Sequence, residues 1–137
     1  MIKETITYVD YNGVEKTEDK YFNLSKAELL KMQYSTEGGM IERLKNVVDN
    51  MNGKDMLEIF DELLVNSYGV VSENGGFVKN DKLREEFKSS EAYSELFVKL
   101  MSDVDEATRF INGVIPESLR AAVAEQIAEG TVVTPIK

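Results

Sequence analysis

The sequence predicts an α+β fold that is mostly α, with an N-terminal antiparallel β-hairpin packed on a bundle of about five to six helices. Three observations predict this fold. Residues 2–22 are rich in Ile, Thr, Val and Tyr around Asn12-Gly13, which is typical of a hairpin. A helix start signal follows at Ser25, and beyond it apolar residues recur at helical spacing.

The hairpin loop is predicted to contain the three residues 11–13, with Gly13 in the left-handed conformation. A two-residue loop would instead place the like charges of Asp10 and Glu15 opposite each other, which is destabilising. Because an isolated hairpin is marginal in water, it must lean on the helices or gain a strand from another chain. The three-residue loop pairs Ile2 with Phe22, Glu4 with Lys20 and Thr7 with Thr17.

The first helix is predicted to begin after Ser25 and to end near Tyr34. Ser25 is expected to cap its N-terminus, and Glu28 is expected to reach back to the Ser25 amide as the second half of a capping box. Leu24 and Leu29 have the spacing of a hydrophobic staple across this cap. These signals place the boundary between the hairpin and the helical body.

Further helices are predicted from apolar stripes, capping residues and glycines. Residues 81–88 are predicted to form a short polar helix, and 70–80 a loop or a very short hairpin. The first stripe is Met40, Leu44, Val47, Val48 and Met51, in a helix ended by Asn52-Gly53, and the second is Met56, Ile59, Phe60, Leu63 and Leu64, in a helix over 54–68 capped by Gly69. The third stripe is Tyr93, Leu96, Phe97, Leu100 and Met101. The fourth is Ala107, Phe110, Ile111 and Val114, in a helix with Asp103 as its cap and Glu106 as the capping-box partner, and the fifth is Leu119, Ala122, Val123 and Ile127, in a helix between Pro116 and Gly130.

We expect one domain over residues 1–137, with the hairpin at 1–22, a helical body at 24–130 and a flexible tail at 131–137. No apolar run approaches the roughly 20 residues that span a bilayer. The N-terminus also lacks the pattern of a secretory signal, so the chain is expected to stay in the cytosol.

The composition excludes several classes of function. The chain has no cysteine and no histidine, which excludes disulfides, thiolate zinc sites and mechanisms based on a histidine or cysteine side chain. With 25 acidic and 16 basic residues, the net charge of −9 repels nucleic acid and anionic membranes. We therefore expect a protein or peptide partner, no nucleic acid and no membrane. The alternative is that the acidic balance serves no charged partner, as in many soluble proteins.

One acidic cluster, Asp103-Val104-Asp105-Glu106, places three carboxylates close enough in sequence to hold a hard cation such as Mg²⁺. The same residues are typical of an N-cap followed by acids that the helix dipole favours, and we prefer this interpretation. The sequence thus predicts no catalytic residues, no cofactor and no metal site.

Two sets of residues are candidates for binding a partner. The first is a stripe of carboxylates at i, i+3, i+7 on one predicted helix, which is either a solvated face or a docking surface for a basic segment. The second is a set of apolar residues in the tail, which is either a poorly ordered end or a strip that docks on a partner. The candidates are Asp55, Glu58 and Glu62 in the stripe, and Val132, Val133 and Ile136 in the tail.

Four segments carry a resemblance to a known family: 6–13 (ITYVDYNG), 21–28 (YFNLSKAE), 91–97 (EAYSELF) and 110–116 (FINGVIP). In sequence and order they resemble the tail assembly chaperones of long-tailed, siphovirus-type phages and prophages of Gram-positive bacteria. The resemblance implies a non-enzymatic protein of the bacterial host cytoplasm that binds the tape-measure protein and tail-tube subunits and is absent from the mature virion. It also implies that a longer, frameshifted form is often made.

Three hypotheses follow. The first is a tail assembly chaperone that forms homo-oligomers through its N-terminal hairpin. The alternative is a structural tail or head component that is retained in the virion. The third is a small metal-dependent enzyme that uses Asp103, Asp105 and Glu106.

Overall fold

The computed structural model describes residues 1–35, 38–40, 42–43 and 53–116. Within these residues it shows four strands and five helices with defined bounds, and Met40, Glu42 and Arg43 are helical as well. The predicted α+β, mostly α fold is confirmed. The elements are β1 (Ile2–Val9), β2 (Glu15–Phe22), α1 (Lys26–Ser35), α2 (Gly53–Ser67), β3 (Tyr68–Val71), β4 (Phe77–Val78), α3 (Asp81–Lys88), α4 (Glu91–Ser102) and α5 (Val104–Val114).

The hairpin has the predicted register. Ile2 pairs with Phe22, Glu4 with Lys20 and Thr7 with Thr17. The loop is closed by the Asp10 N–H, which donates to the Val14 carbonyl at 2.9 Å, and Gly13 is left-handed with φ of 82°. The three-residue loop is therefore confirmed.

The hairpin gains a third strand from its own chain. The antiparallel sheet has the order β1-β2-β3-β4, and β3 pairs with the end of β2 through Tyr21 with Gly69 and Phe22 with Tyr68. The prediction that Gly69 caps a helix is wrong, because α2 ends at Ser67 and a strand begins at the next residue. A Cβ atom on Gly69 would lie 2.7 Å from Cε2 of Phe77, so the glycine leaves room for that ring.

The segment 70–80 forms the very short hairpin that was one of its two predicted conformations, with Val70 paired to Val78 and Val71 to Phe77. Gly53, which was predicted to end the preceding helix, is the first residue of α2. The end of the preceding helix lies outside the described residues.

The core is centred on the inner face of the sheet. The Phe22 ring is fully buried, and its centroid lies 5.8, 5.6 and 5.4 Å from those of Tyr68, Phe87 and Phe110. These rings come from β2, β3, α3 and α5, so residues on both sides of the β3–β4 hairpin share one core. Phe87 corrects the prediction that 81–88 is simply a polar helix, since its ring stacks on Tyr68.

The predicted apolar stripes lie mostly in this core. In α2 and α5 all the predicted residues are buried except Met56, which is half-buried. In α4, Leu96 and Leu100 are buried, while three predicted residues are half-buried: Tyr93, Phe97 and Met101. Met40 is also buried. Several predictions lie outside the described residues: Leu44, Val47, Val48 and Met51, the last helix with Leu119, Ala122, Val123 and Ile127, and the tail 131–137.

The predicted N-caps at Ser25 and Asp103 are present, but Glu106 is not the capping-box partner that was predicted, because its carboxylate accepts from Arg109 instead. The Ser25 N–H donates to Glu28 Oε1 at 2.9 Å, and the Glu28 N–H donates to Ser25 Oγ at 3.1 Å, which completes the capping box. Asp103 Oδ1 caps α5 by accepting from the N–H groups of Asp105 and Glu106. In the described part of the chain, no helix is long and apolar enough to cross a membrane.

Candidate partner-binding surfaces

The predicted acidic stripe lies on α2 and is partly neutralised within the chain. Arg43 Nη1 donates to both carboxylate oxygens of Glu62, at 2.7 and 2.8 Å, and Arg43 Nη2 lies 4.0 Å from Glu58. Asp55 is exposed in the first turn of α2, where the helix dipole favours an acid. The stripe therefore presents less negative charge to a partner than its sequence predicts.

The other predicted partner-binding residues, Val132, Val133 and Ile136, lie outside the described residues.

The acidic cluster at the start of α5 takes part in capping and ion pairing. Asp103 is the N-cap, and Glu106 Oε1 accepts from Arg109 Nη2 at 2.8 Å and lies 3.7 Å from Lys99 Nζ. Hydrogen bonding by Arg109 holds the pKa of Glu106 below its usual value, although burial opposes this. Among the described residues, no three acidic side chains are grouped as metal ligands would be.

The outer edge of β1 carries backbone groups that face away from β2. The residues Asp10 and Val14 form a hydrogen-bonded pair. Because hydrogen-bonded and non-hydrogen-bonded pairs alternate along an antiparallel ladder, the backbone groups of the even-numbered residues of β1 bond to β2. The N–H and C=O groups of the odd-numbered residues then point outward. The Thr7 and Thr17 hydroxyls, 2.9 Å apart, fit this assignment, because side chains approach most closely in non-hydrogen-bonded pairs. We call the outward backbone of Lys3, Thr5, Thr7 and Val9 the open edge of β1.

A shallow groove runs beside the open edge. Its volume is about 130 Å³, and it is bounded by Thr5, Ile6 and Thr7 of β1 and by Glu95, Leu96 and Lys99 of α4. No described strand pairs with this side of β1, since β1 stands at the end of the sheet. The groove therefore borders the middle of the open edge, at Thr5 and Thr7.

An ion-pair network holds the inner side of β1 on α4 and α5. Glu4 is only 2% exposed, and its two carboxylate oxygens accept from Arg109 Nη2 at 3.1 and 3.0 Å. Lys99 Nζ lies 3.7 Å from the same carboxylate. A buried carboxylate needs such partners, because removing its charge from water is otherwise costly. The network fixes the inner face of the hairpin on the helices and does not involve the backbone groups of the open edge.

The sequence did not predict Arg109 and Lys99 as partners of Glu4, because the predicted register places Lys20 opposite Glu4. Lys20 is opposite Glu4 in the register, but its Nζ lies 3.2 Å from Glu18 Oε1 and 5.8 Å from the centroid of the Tyr68 ring. A signal was present: Glu4 shares the strand face of Ile2, Ile6 and Tyr8, which is the apolar one. An acid on that face predicts a cationic partner nearby.

A buried lysine holds the junction between the hairpin and α1. The Lys79 side chain is 7% exposed, and its Nζ donates to both Glu28 carboxylate oxygens at 2.8 and 2.9 Å. It also donates to the carbonyls of Asn23 at 2.7 Å and Asn66 at 2.8 Å. Burial lowers the pKa of Lys79, while Glu28 opposes that effect. We call these four groups the Lys79 clasp.

Comparison with known proteins identifies the family. A model described as phage tail assembly chaperone matches residues 1–135. No curated protein and no solved structure matches the chain. Because the family model spans nearly the whole sequence, the chain belongs to the phage tail assembly chaperone family.

Proposed function

We propose that this chain is a non-enzymatic chaperone that binds the tape-measure protein and tail-tube subunits while a phage tail is built. It acts in the cytoplasm of the bacterial host and leaves before the virion is complete. We also propose that the phage or prophage is of the long-tailed type with a Gram-positive host. Membership of the tail assembly chaperone family supports the general role. The segments that resemble the chaperones of such phages support the choice of partners.

The structural observation that carries this proposal is the open edge of β1. Exposed strand edges are usually blunted by charges, prolines or bulges, because they pair with other chains. Among the solvent-exposed side chains of β1, only Lys3 is charged. An edge of this kind binds another strand mainly through its backbone, so it suits a protein whose function is to associate.

We assign the open edge to a second copy of the chain, which makes the chaperone a homo-oligomer through its hairpin. Two β1 strands paired antiparallel about a twofold axis would bring Thr5 of one copy opposite Thr7 of the other. Threonine pairs across strands are favourable, and the contact is self-complementary as twofold symmetry requires. The ion pairs of Glu4 lie on the inner face and stay intact in this arrangement.

Affinity purification of the tagged chain from host cells that are producing tails tests the proposed partners. The account predicts that mass spectrometry finds tape-measure and tail-tube proteins on the resin, well above the level in cells that express the tag alone. If neither protein is enriched over that control, the proposed partners are wrong.

A further inference from the structure

Helix α1 is apolar on two opposite sides. Leu29 is buried in the core, but Leu30 is 57% exposed and Tyr34 is 84% exposed. A surface helix normally buries one apolar stripe and presents polar residues on the opposite side. Single exposed apolar residues are common, whereas neighbouring ones that share a face form a patch that can bind.

The exposed residues form a stripe between two lysines. At about 100° per residue, Leu30, Tyr34 and Ala27 fall within an arc of about 60°, with Lys26 on one side and Lys31 on the other. All five side chains are exposed. Leu29 lies on the opposite side of the helix. We call the surface formed by Lys26, Ala27, Leu30, Lys31 and Tyr34 the lysine-flanked face.

The charge of this face is opposite to that of the whole molecule. The chain carries a net charge of −9, yet the lysine-flanked face has two cations and no carboxylate. Glu28, the acidic residue of α1, lies on another side of the helix and is held by Lys79. A partner that is repelled by most of this acidic surface would be attracted here.

We propose that the lysine-flanked face docks an amphipathic helix of the partner protein, whose apolar stripe is bordered by Asp or Glu. Leu30 and Tyr34 are one turn apart, which is the spacing of a ridge that packs into the groove of a facing helix. Acidic residues beside the partner's stripe would pair with Lys26 and Lys31. This inference rests on the proposed function, because it supplies the chemistry of the segment that the chaperone holds.

Two synthetic peptides test this surface by fluorescence anisotropy. Both are amphipathic helices of about three heptads with leucine on one side. The stripe is flanked by glutamates in one peptide and by lysines in the other. The wild-type chain is expected to bind the glutamate-flanked peptide about tenfold more tightly, because two lysines attract one peptide and repel the other.

Substitutions on the face are compared with matched exposed positions on other helices. Leu30→Glu should weaken binding of the glutamate-flanked peptide by about tenfold or more, and Val98→Glu on α4 should not. Lys31→Glu should reduce the preference for that peptide, whereas Lys82→Glu on α3 should leave it unchanged. All four side chains are exposed, so thermal unfolding is expected to stay close to that of the wild type.

Equal binding of the two peptides, or unaltered binding by Leu30→Glu, would overturn the inference. The inference would also be overturned if Leu30→Glu changed the oligomeric state and left peptide binding intact. The lysine-flanked face would then be a contact between two copies of the chain. Affinity purification separates this inference from the proposed function. If the wild type and Leu30→Glu retain equal amounts of tape-measure protein, the inference fails and the function stands. If the wild type retains none, the proposed function fails.

Discussion

Lys79 Nζ lies 2.8 and 2.9 Å from the carboxylate oxygens of Glu28, the residue that also accepts the Ser25 N–H at the start of α1. One carboxylate thus caps a helix and neutralises a buried cation. The lysine comes from the segment after β4, and its two carbonyl acceptors belong to the end of α2 and to the turn after β2. The contact therefore joins the hairpin to three parts of the helical body.

The Lys79 clasp is expected to stabilise the fold. Lys79→Met should lower the free energy of unfolding by about 2–3 kcal/mol, because two carbonyls and a carboxylate lose their donor. Urea denaturation measures the change, with Lys82→Met, at an exposed position, as the control. A loss no larger than that of the control would show that the clasp contributes little.

The clasp also predicts a loss of stability in acid. Burial would raise the pKa of Glu28, but hydrogen bonds from Lys79 and Ser25 and the charge of Lys79 hold it below its usual value. A carboxyl group whose pKa is lower in the folded state stabilises the fold above its unfolded pKa of about 4.3. That contribution disappears as the pH falls through the folded pKa.

Urea denaturation of the wild type and of Glu28→Gln at successive pH values below about 5 tests this effect. The wild type should be the more stable at neutral pH, and the difference should shrink as the pH falls, since protonation removes the same charge that the substitution removes. A difference that stays constant with pH would contradict the assignment.

The buried carboxylate of Glu4 and the half-exposed guanidinium of Arg109 are expected to be energetically coupled. A double-mutant cycle with Glu4→Gln and Arg109→Met should give a coupling of about 1–2 kcal/mol, because the carboxylate is buried and accepts two hydrogen bonds from the guanidinium. Asp81 and Arg84, a pair within one helix whose carboxylate is fully exposed, should show a much smaller coupling. Equal coupling in the two pairs would mean that the burial of Glu4 adds nothing.

The open edge of β1 predicts a difference between two substitutions at Thr7. Thr7→Pro removes an outward N–H, and Thr7→Ala keeps that N–H while removing the same hydroxyl contact with Thr17. Light scattering coupled to size exclusion should show a smaller oligomer for Thr7→Pro and the wild-type oligomer for Thr7→Ala. If both variants keep the wild-type mass, copies do not associate through this edge.

Local signals predicted the elements that local chemistry determines. The Ser25 capping box, the Asp103 cap and the hairpin register each depend on residues close in sequence, and each is present. Gly69 shows the limit of such signals. A glycine after an apolar helical stripe is typical of a C-terminal cap, and only the pairing of β3 with β2 makes it part of a strand.

The features that the sequence did not predict depend on contacts between distant segments, which no local pattern encodes. Lys79 is one lysine in a connecting segment, and its burial results from three segments that meet around it. Phe87 has one apolar partner at helical spacing, Leu83 four residues before it, and a single pair in an eight-residue helix is too little to establish a period. The acidic stripe was visible, but its pairing with Arg43 was not, because the arginine lies 19 residues before Glu62.

The central claim is that this member of the tail assembly chaperone family acts during assembly and is not part of the product. Quantitative mass spectrometry of purified phage particles and of the lysate that produced them tests it most directly. The account predicts that the chain is abundant in the lysate, where it accompanies tape-measure protein, and is absent from the particles. A fixed number of copies in each particle would contradict the account and identify the chain as a structural component of the virion.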